Sequence, residues 1–208
     1  MTETGLGARG CPTLTRGDLL ERANREYAEE PLREFARQAS VQEAECYANR
    51  HQRPYVMQPT KTRIVETCEF AGKMGYRRLG LAFCMGLTHE AGLVEGILRD
   101  RGFEVVSAVC KAGRTPKRFL DLAPEETIRL EDGEPMCNPV FQARLLNAEK
   151  TELNVLLGLC VGHDSLFFRY AEAPTTVLAV KDRVTGHNPL AAVYLSGSYY
   201  RKVRCPGL

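Results

Sequence analysis

The chain has 208 residues, 44% of them apolar and 26% charged, which excludes a fibrous repeat or a wholly disordered chain and leaves room for one core plus an extension. Its net charge of +2, from scattered Lys and Arg, is too small to build a basic groove, so no nucleic-acid partner is expected. No apolar run is long enough to span a bilayer and the opening MTETGLGARG lacks the apolar centre of an export signal, so no membrane association and a cytoplasmic location are expected.

Residues 1–16, rich in Gly, Thr and Pro, read as an arm carrying Cys11. From Asp18 to about Asn49, helical spacing and strong helix formers predict two helices, with Pro31 at the break between them. The stretch HQRPYVMQPT interrupts, and Thr60 is placed to cap a helix from about Lys61 to Met74. Ile64, Val65, Cys68 and Ala71 share that helix's apolar face, which makes Cys68 a core residue.

From Tyr76 onward the pattern changes to short apolar runs separated by helices, the signature of βαβ units. The runs LGLAFC, FEVVSAVC, LNVLLGLC and TTVLAV are continuously apolar, as strands covered on both faces are. A helix from about Thr88 to Asp100 and one opening at CNPVFQARLLNAEK, capped by Asn138 with Pro139 in its first turn, separate the first three. A short helix begins near His163, and NPLAAVYL follows the last strand. Lys111 to Pro135 is the least regular part and reads as a long loop able to act as a lid. The fold class is therefore α/β, a small Rossmann-like or flavodoxin-like parallel sheet of about four strands with helices on both faces. It is preceded by an N-terminal helical extension, with residues 1–58 as arm and extension and 59–208 as the α/β domain.

Eight cysteines without an export signal are not expected to form disulfides, because the cytosol keeps thiols reduced. Three of the four predicted strands end on one: Cys84, Cys110 and Cys160. In an open parallel sheet all such ends lie on one edge, where loops and helix N-termini leave a crevice for ligands. Cys137 precedes the Asn-Pro pair that opens the next helix, and that helix starts on the same edge. Helix N-termini lower a thiol's pKa and favour an anionic cluster. The bland alternative is that each thiol merely finishes a buried strand. Cys11, Cys46, Cys68 and Cys205 lack CxxC pairing and read as ordinary residues, with a second site using Cys11 and Cys205 left open.

The fourth strand ends instead on Lys181, Asp182 and Arg183, followed by Gly186, His187, Asn188 and Pro189. Beside a thiol site, Lys181 or Arg183 could bind an anionic substrate while Asp182 accepts a hydrogen bond or orients a histidine; alone, these residues make an ordinary charged turn. The string CVGHDS sets His163 and Asp164 beside Cys160. His163 is then a metal ligand or its supporting partner, or a general base for a Cys160 nucleophile, and Asp164 is a helix cap on the bland reading. His89 is a reserve candidate. Gly86 and Gly92 match no nucleotide fingerprint.

The strings FCMGL, VCKAG, MCNPVFQARLLN, LNVLLGLCVGHDSLF and VLAVKDRVTGHNPLAAVY together resemble an uncharacterised metal-binding protein family, a domain-of-unknown-function group common in anaerobic bacteria and archaea. The resemblance runs from about Glu43 to Tyr194. It implies metal binding and matches the family pattern at Cys84, Cys110, Cys137, Asn138, Cys160, His163, Asp164, Lys181, Asp182, Arg183 and His187. Many relatives carry a cysteine-rich N-terminal segment, where this chain has only Cys11.

Three expectations follow. The first is an iron-sulfur cluster, such as 4Fe-4S, on Cys84, Cys110 and Cys160, with Cys137 or a nonprotein group as fourth ligand, serving sulfur transfer, desulfuration or redox chemistry. Its partner would be a small anionic or sulfur-containing substrate. The second is zinc at the same thiols, with a structural or sensing role. The third is a metal-free Cys160 nucleophile or redox thiol served by His163 and Asp164. The helical N-terminal third is open either to packing on the sheet or to forming a homo-oligomer.

Overall fold

The computed structural model describes Gly5, residues 7–205 and Gly207. Contacts divide the chain into two compact units, Met1–Met74 and Gly75–Leu208. The first is helical: α1 (Pro12–Thr15), α2 (Gly17–Glu26), α3 (Leu32–Glu45) and α4 (Arg63–Lys73). The break between α2 and α3 falls at Pro31, as its lack of an N–H requires. Phe35 of α3 meets Phe70 of α4 edge to face at 5.0 Å, a favoured aromatic geometry. Gln42, buried in α3, donates to Glu69 at 2.8 Å and accepts from Lys73 at 2.6 Å, so its amide is satisfied on both sides.

Helix α4, expected with the sheet, thus lies within the first unit. Its cap also differs from expectation: the helix starts after Thr62, and Thr60 instead directs its N–H and hydroxyl to Cys46 O at 2.8 and 3.2 Å. An isolated antiparallel bridge between Tyr47 and Pro59 lies next to this contact. Cys46 and Cys68 are buried in this unit, as ordinary core thiols are.

The second unit contains β1 (Arg78–Phe83), α5 (Thr88–Asp100), β2 (Glu104–Val109), α6 (Pro139–Ala148), β3 (Leu153–Leu157), α7 (His163–Tyr170), β4 (Thr175–Ala179) and α8 (Pro189–Tyr194). The four strands form one parallel sheet in the order β2-β1-β3-β4. The chain moves one way from β1 to β2 and the other way from β2 through β3 to β4. Right-handed crossovers therefore put α5 on one face and α6 and α7 on the other, leaving a switch point between β1 and β3. Strands β1 and β3 are central and buried almost throughout, whereas every residue of the edge strand β4 is half-buried. Ala82, Ala108, Leu146, Leu156 and Phe167 pack with Cys84 and Cys110 in one core cluster, so the thiols are continuous with the core.

Residues 111–135, expected as an irregular loop, are more ordered than that. They contain 3-10 turns at Lys117–Leu120 and Pro124–Glu126, and a bridge between Pro116 and Pro135 brings the ends of the loop together. Among the described residues no helix is long and apolar enough to cross a membrane.

Gly158 connects β3 to Cys160 in a left-handed conformation (φ +66°), and a Cβ there would collide with Leu87. Gly96 within α5 has open space around it. Gly158→Ala is expected to cost at least about 2 kcal/mol in denaturant unfolding, from the left-handed backbone and the overlap together. Gly96→Ala should stabilise by about 0.5–1 kcal/mol.

Candidate metal centre

The parallel register carries the three strand-end cysteines to a common edge. Cys84 continues β1, its N–H donating to Leu157 O at 3.1 Å, and Cys110 continues β2, its N–H donating to Phe83 O at 2.8 Å. Cys137 is drawn to them because the N–H of Asn138 donates to Cys110 O at 2.7 Å. Asn138 is the expected N-cap, its Oδ1 accepting from Phe141 N–H at 2.9 Å. Cys160 follows β3 beyond Gly158, and the N–H groups of His163 and Asp164 close the turn on Cys160 O at 2.9 and 3.2 Å.

Cys84 and Cys110 are buried, whereas Cys137 and Cys160 are half-buried. The sulfurs of Cys110 and Cys137 stand 3.6 Å apart. The Cys110 thiol, by hydrogen bonding to Cys137, pulls that residue's pKa down to about 7, with the Lys111 ammonium adding to the effect against burial. Cys110 itself is pushed up by Cys137, and Cys84, donating in turn to Cys110 and desolvated, is pushed up to about 12. The three thiols thus form a chain of S–H contacts that gives up one proton readily and holds the others.

Backbone donors point at the same sulfurs. Met85 N–H donates to Cys110 Sγ at 3.3 Å, and Gly86 N–H favours the Cys84 thiolate. The 3-10 turn Met85–Leu87 therefore presents amides to two thiols. Cations complete the site. Arg183 Nη2 donates to Cys160 Sγ at 3.1 Å, and the guanidinium also feels Cys84 and Cys137, which raises its pKa. A Cβ on Gly86 would lie 3.2 Å from Lys181 Nζ and 3.9 Å from Cys84 Sγ, which places the ammonium and the thiol around one small opening.

The other expected site residues separate into two groups. Lys181 and Arg183 lie with the thiols. Asp182 shapes its own loop: its carboxylate accepts from Val184 and Thr185 N–H at 2.9 and 3.0 Å, which holds it below the usual carboxylate range, and its N–H donates to His187 Nδ1 at 3.2 Å. Asp164 accepts from Ser165 N–H at 2.8 Å at the start of α7. His163 begins the same helix, and among the described residues no hydrogen bond joins its ring to Cys160. His89 is exposed on α5.

Three contributors escaped sequence reading: Gln142, Lys111 and the Met85–Gly86 amides. Gln142 is fully buried and its Nε2 donates to Phe83 O at 3.2 Å and Ala108 O at 2.6 Å, tying together the strand ends that precede Cys84 and Cys110. A polar residue in the apolar face of α6 was its only signal.

Among the described residues no three His, Cys, Asp or Glu side chains stand as a finished metal-ligand set. The donor chemistry nonetheless fits a thiolate-bound centre: four thiols on one edge, amide donors aimed at two of them, and two cations to offset anionic charge.

Glu134, buried beside the Cys137 approach, ties the 111–135 loop down. Lys117 Nζ stands 2.9 Å and Lys111 Nζ 3.5 Å from its Oε1, and Oε2 accepts from Arg129 N–H at 3.1 Å. Lys117 first, with the Arg129 amide, holds its pKa down at about 2 from an ordinary 4.5. A depressed carboxylate stabilises the fold fully above its unfolded pKa, and that contribution is lost as pH falls through the folded value. Stability should fall between about pH 4.5 and pH 2 in acid titrations, and Glu134→Gln should remove that part of the pH dependence while lowering stability at neutral pH.

The chain belongs to the family described as Protein of unknown function (DUF1847), whose profile matches residues 11–178. That span includes all four edge thiols and stops before Lys181. The chain is 39% identical over 185 residues to an uncharacterized protein, MJ0455, of Methanocaldococcus jannaschii, covering 89% of this chain and 87% of that one. Two crystal structures of Dph2 from Pyrococcus horikoshii, one of them with a 4Fe-4S cluster, align with TM-scores of 0.35 and 0.36 at 15% and 14% identity. The alignments cover 69% and 70% of this chain and 33% of each Dph2 chain, so this chain spans about a third of their length. At those values the likeness carries no argument about ligand or activity.

Proposed function

We propose that this member of the family uses Cys84, Cys110 and Cys160, with Cys137 as fourth thiol, to hold an iron-sulfur cluster. The observation that carries the reading is the convergence of four thiols from four separate segments on one sheet edge, two of them receiving backbone N–H donors. Buried strand ends need no sulfur, and a lone reactive cysteine needs no company of three others. Hydrogen bonds to sulfur, burial and nearby charge are also what tune such clusters.

A cluster held by all four thiols would supply electron transfer, and one held by Cys84, Cys110 and Cys160 alone would leave an iron open to bind sulfur. The protein's own residues divide the remaining work. Arg183 and Lys181 hold negative charge at the open side of the site, and a small anionic or sulfur-containing substrate is the partner their placement suits. Burial of Cys84 and Cys110 among Ala82, Ala108 and Leu156 keeps water from the inner pair, while the half-buried Cys137 and Cys160 face the approach. Sulfur transfer, desulfuration or a redox role fits an anion-receptive, thiolate-lined edge.

One distance favours a second reading. Tetrahedral zinc with Zn–S near 2.3 Å sets its sulfurs about 3.8 Å apart, and Cys110 and Cys137 are separated by 3.6 Å. A closed four-thiolate zinc site would serve a structural or sensing role. The metal-free alternative, with His163 activating Cys160, has less support because the hydrogen-bond partner of Cys160 Sγ is Arg183.

Metal content of serine variants tests the site. Cys84→Ser, Cys110→Ser and Cys160→Ser are each expected to lose most of the metal measured by elemental analysis of anaerobically purified protein, and Cys137→Ser to lose part or all of it. Cys68→Ser and Cys205→Ser should keep wild-type content. Equal retention across the edge variants would overturn the ligand assignment.

A further inference from the structure

Beside the thiols, on the side of β2, an open cleft of about 310 Å³ lies between the turn after Cys110 and the segment that leads to Cys137. Its lining follows from the chain neighbours of three edge cysteines. Met85 comes directly after Cys84, Val109 and Lys111 flank Cys110, and Pro135 stands two residues before Cys137. The remaining walls are Arg114, Arg129 and Glu134.

The charges do not cancel. Glu134 is matched by Lys117 and Lys111 at 2.9 and 3.5 Å. Arg129 makes one ion pair, with Glu131 at 3.6 Å, between side chains that are 72% and 55% exposed, which is worth little in water. Arg114 has no ion-pair partner among the described residues. Arg114 and Arg129 therefore add unmatched positive charge to a cleft that also has the apolar walls Met85, Val109 and Pro135 beside the paired Lys111 and Glu134.

The turn after Cys110 fixes where Arg114 stands. Gly113 and Arg114 both have positive φ, 85° and 52°, and Arg114 N–H closes the turn on Lys111 O at 3.2 Å. A side chain in the left-handed region costs roughly 1 kcal/mol, which glycine would avoid. Arg114 is thus held against its backbone preference at a position that lines the cleft.

We infer that this cleft binds a small organic acid, its carboxylate paired with Arg114 and Arg129 and its apolar body against Met85, Val109 and Pro135. Guanidinium forks match a carboxylate's two oxygens, and the cleft's volume is at the lower end of small-molecule sites. The inference goes beyond the cluster reading and does not need it, since no contact in the cleft is to metal. It adds a place from which an acid's other end could reach the thiol edge.

Benzoate is the probe, with benzamide as its uncharged counterpart, titrated by calorimetry into protein as purified and again after metal depletion. Wild type should bind benzoate saturably in both states and benzamide at least about tenfold more weakly. Arg114→Gly, which keeps the left-handed backbone, and Arg129→Gln should each weaken benzoate about tenfold, while Arg114→Lys should weaken it less. Should Arg114→Gly fail to fold, Arg129→Gln decides alone. Absence of benzoate binding, equal binding of benzamide, or unchanged affinity in Arg114→Gly and Arg129→Gln would overturn the proposal. Benzoate binding by protein that carries no iron and no labile sulfide as purified would count against the cluster reading alone.

Discussion

Everything at the candidate centre depends on the parallel ladder that aligns Phe83 with Val109 on one side and with Leu157 on the other. Because three strands run the same way and end level, the residues just past them must meet at one edge. The ladder extends one residue further through the N–H groups of Cys84 and Cys110, so the hydrogen bonds that end the strands also set the positions of two thiols. A one-residue slip of β2 against β1 would turn Cys110 to the opposite face. Such a slip would also carry the buried Val105 and Ala108 out of their packed positions.

Onto this edge the fold adds groups that favour thiolate. Amides of the Met85–Leu87 turn point at sulfur, Lys181 and Arg183 arrive from the loop after β4, and Lys111 adds its charge from beyond β2. Gln142 has no thiol contact, yet it joins the carbonyls of Phe83 and Ala108 and so braces the two strand ends. Gly86 and Gly158 keep space for Lys181 and Leu87 where a methyl group would intrude. The site is thus built as much by backbone and cations as by cysteine.

The sheet and the thiol edge were legible because both arise from short-period patterns. Short, mostly apolar runs ending in cysteine report strand direction and strand end together, although β2 exposes Glu104 and Ser107, and Asn138 with Pro139 announces the start of α6. Long-range choices were less visible. Thr60 looks like a cap, but next to the bridge between Tyr47 and Pro59 it bonds to Cys46, a contact no local window contains. The order in residues 111–135 depends on Glu134 finding Lys111 and Lys117 across the loop, which a run of prolines and acidic residues does not suggest. Arg183 reads as a substrate binder in sequence, and only the fold pairs it with Cys160.

The central claim is that four edge thiols hold an iron-sulfur cluster, and anaerobic purification tests it most directly. Iron, acid-labile sulfide and zinc would be measured on one sample together with its visible spectrum. The account predicts a brown protein with iron and labile sulfide in comparable amounts and broad visible absorption that bleaches on reduction. Colourless protein carrying stoichiometric zinc, or no metal at all, would contradict it.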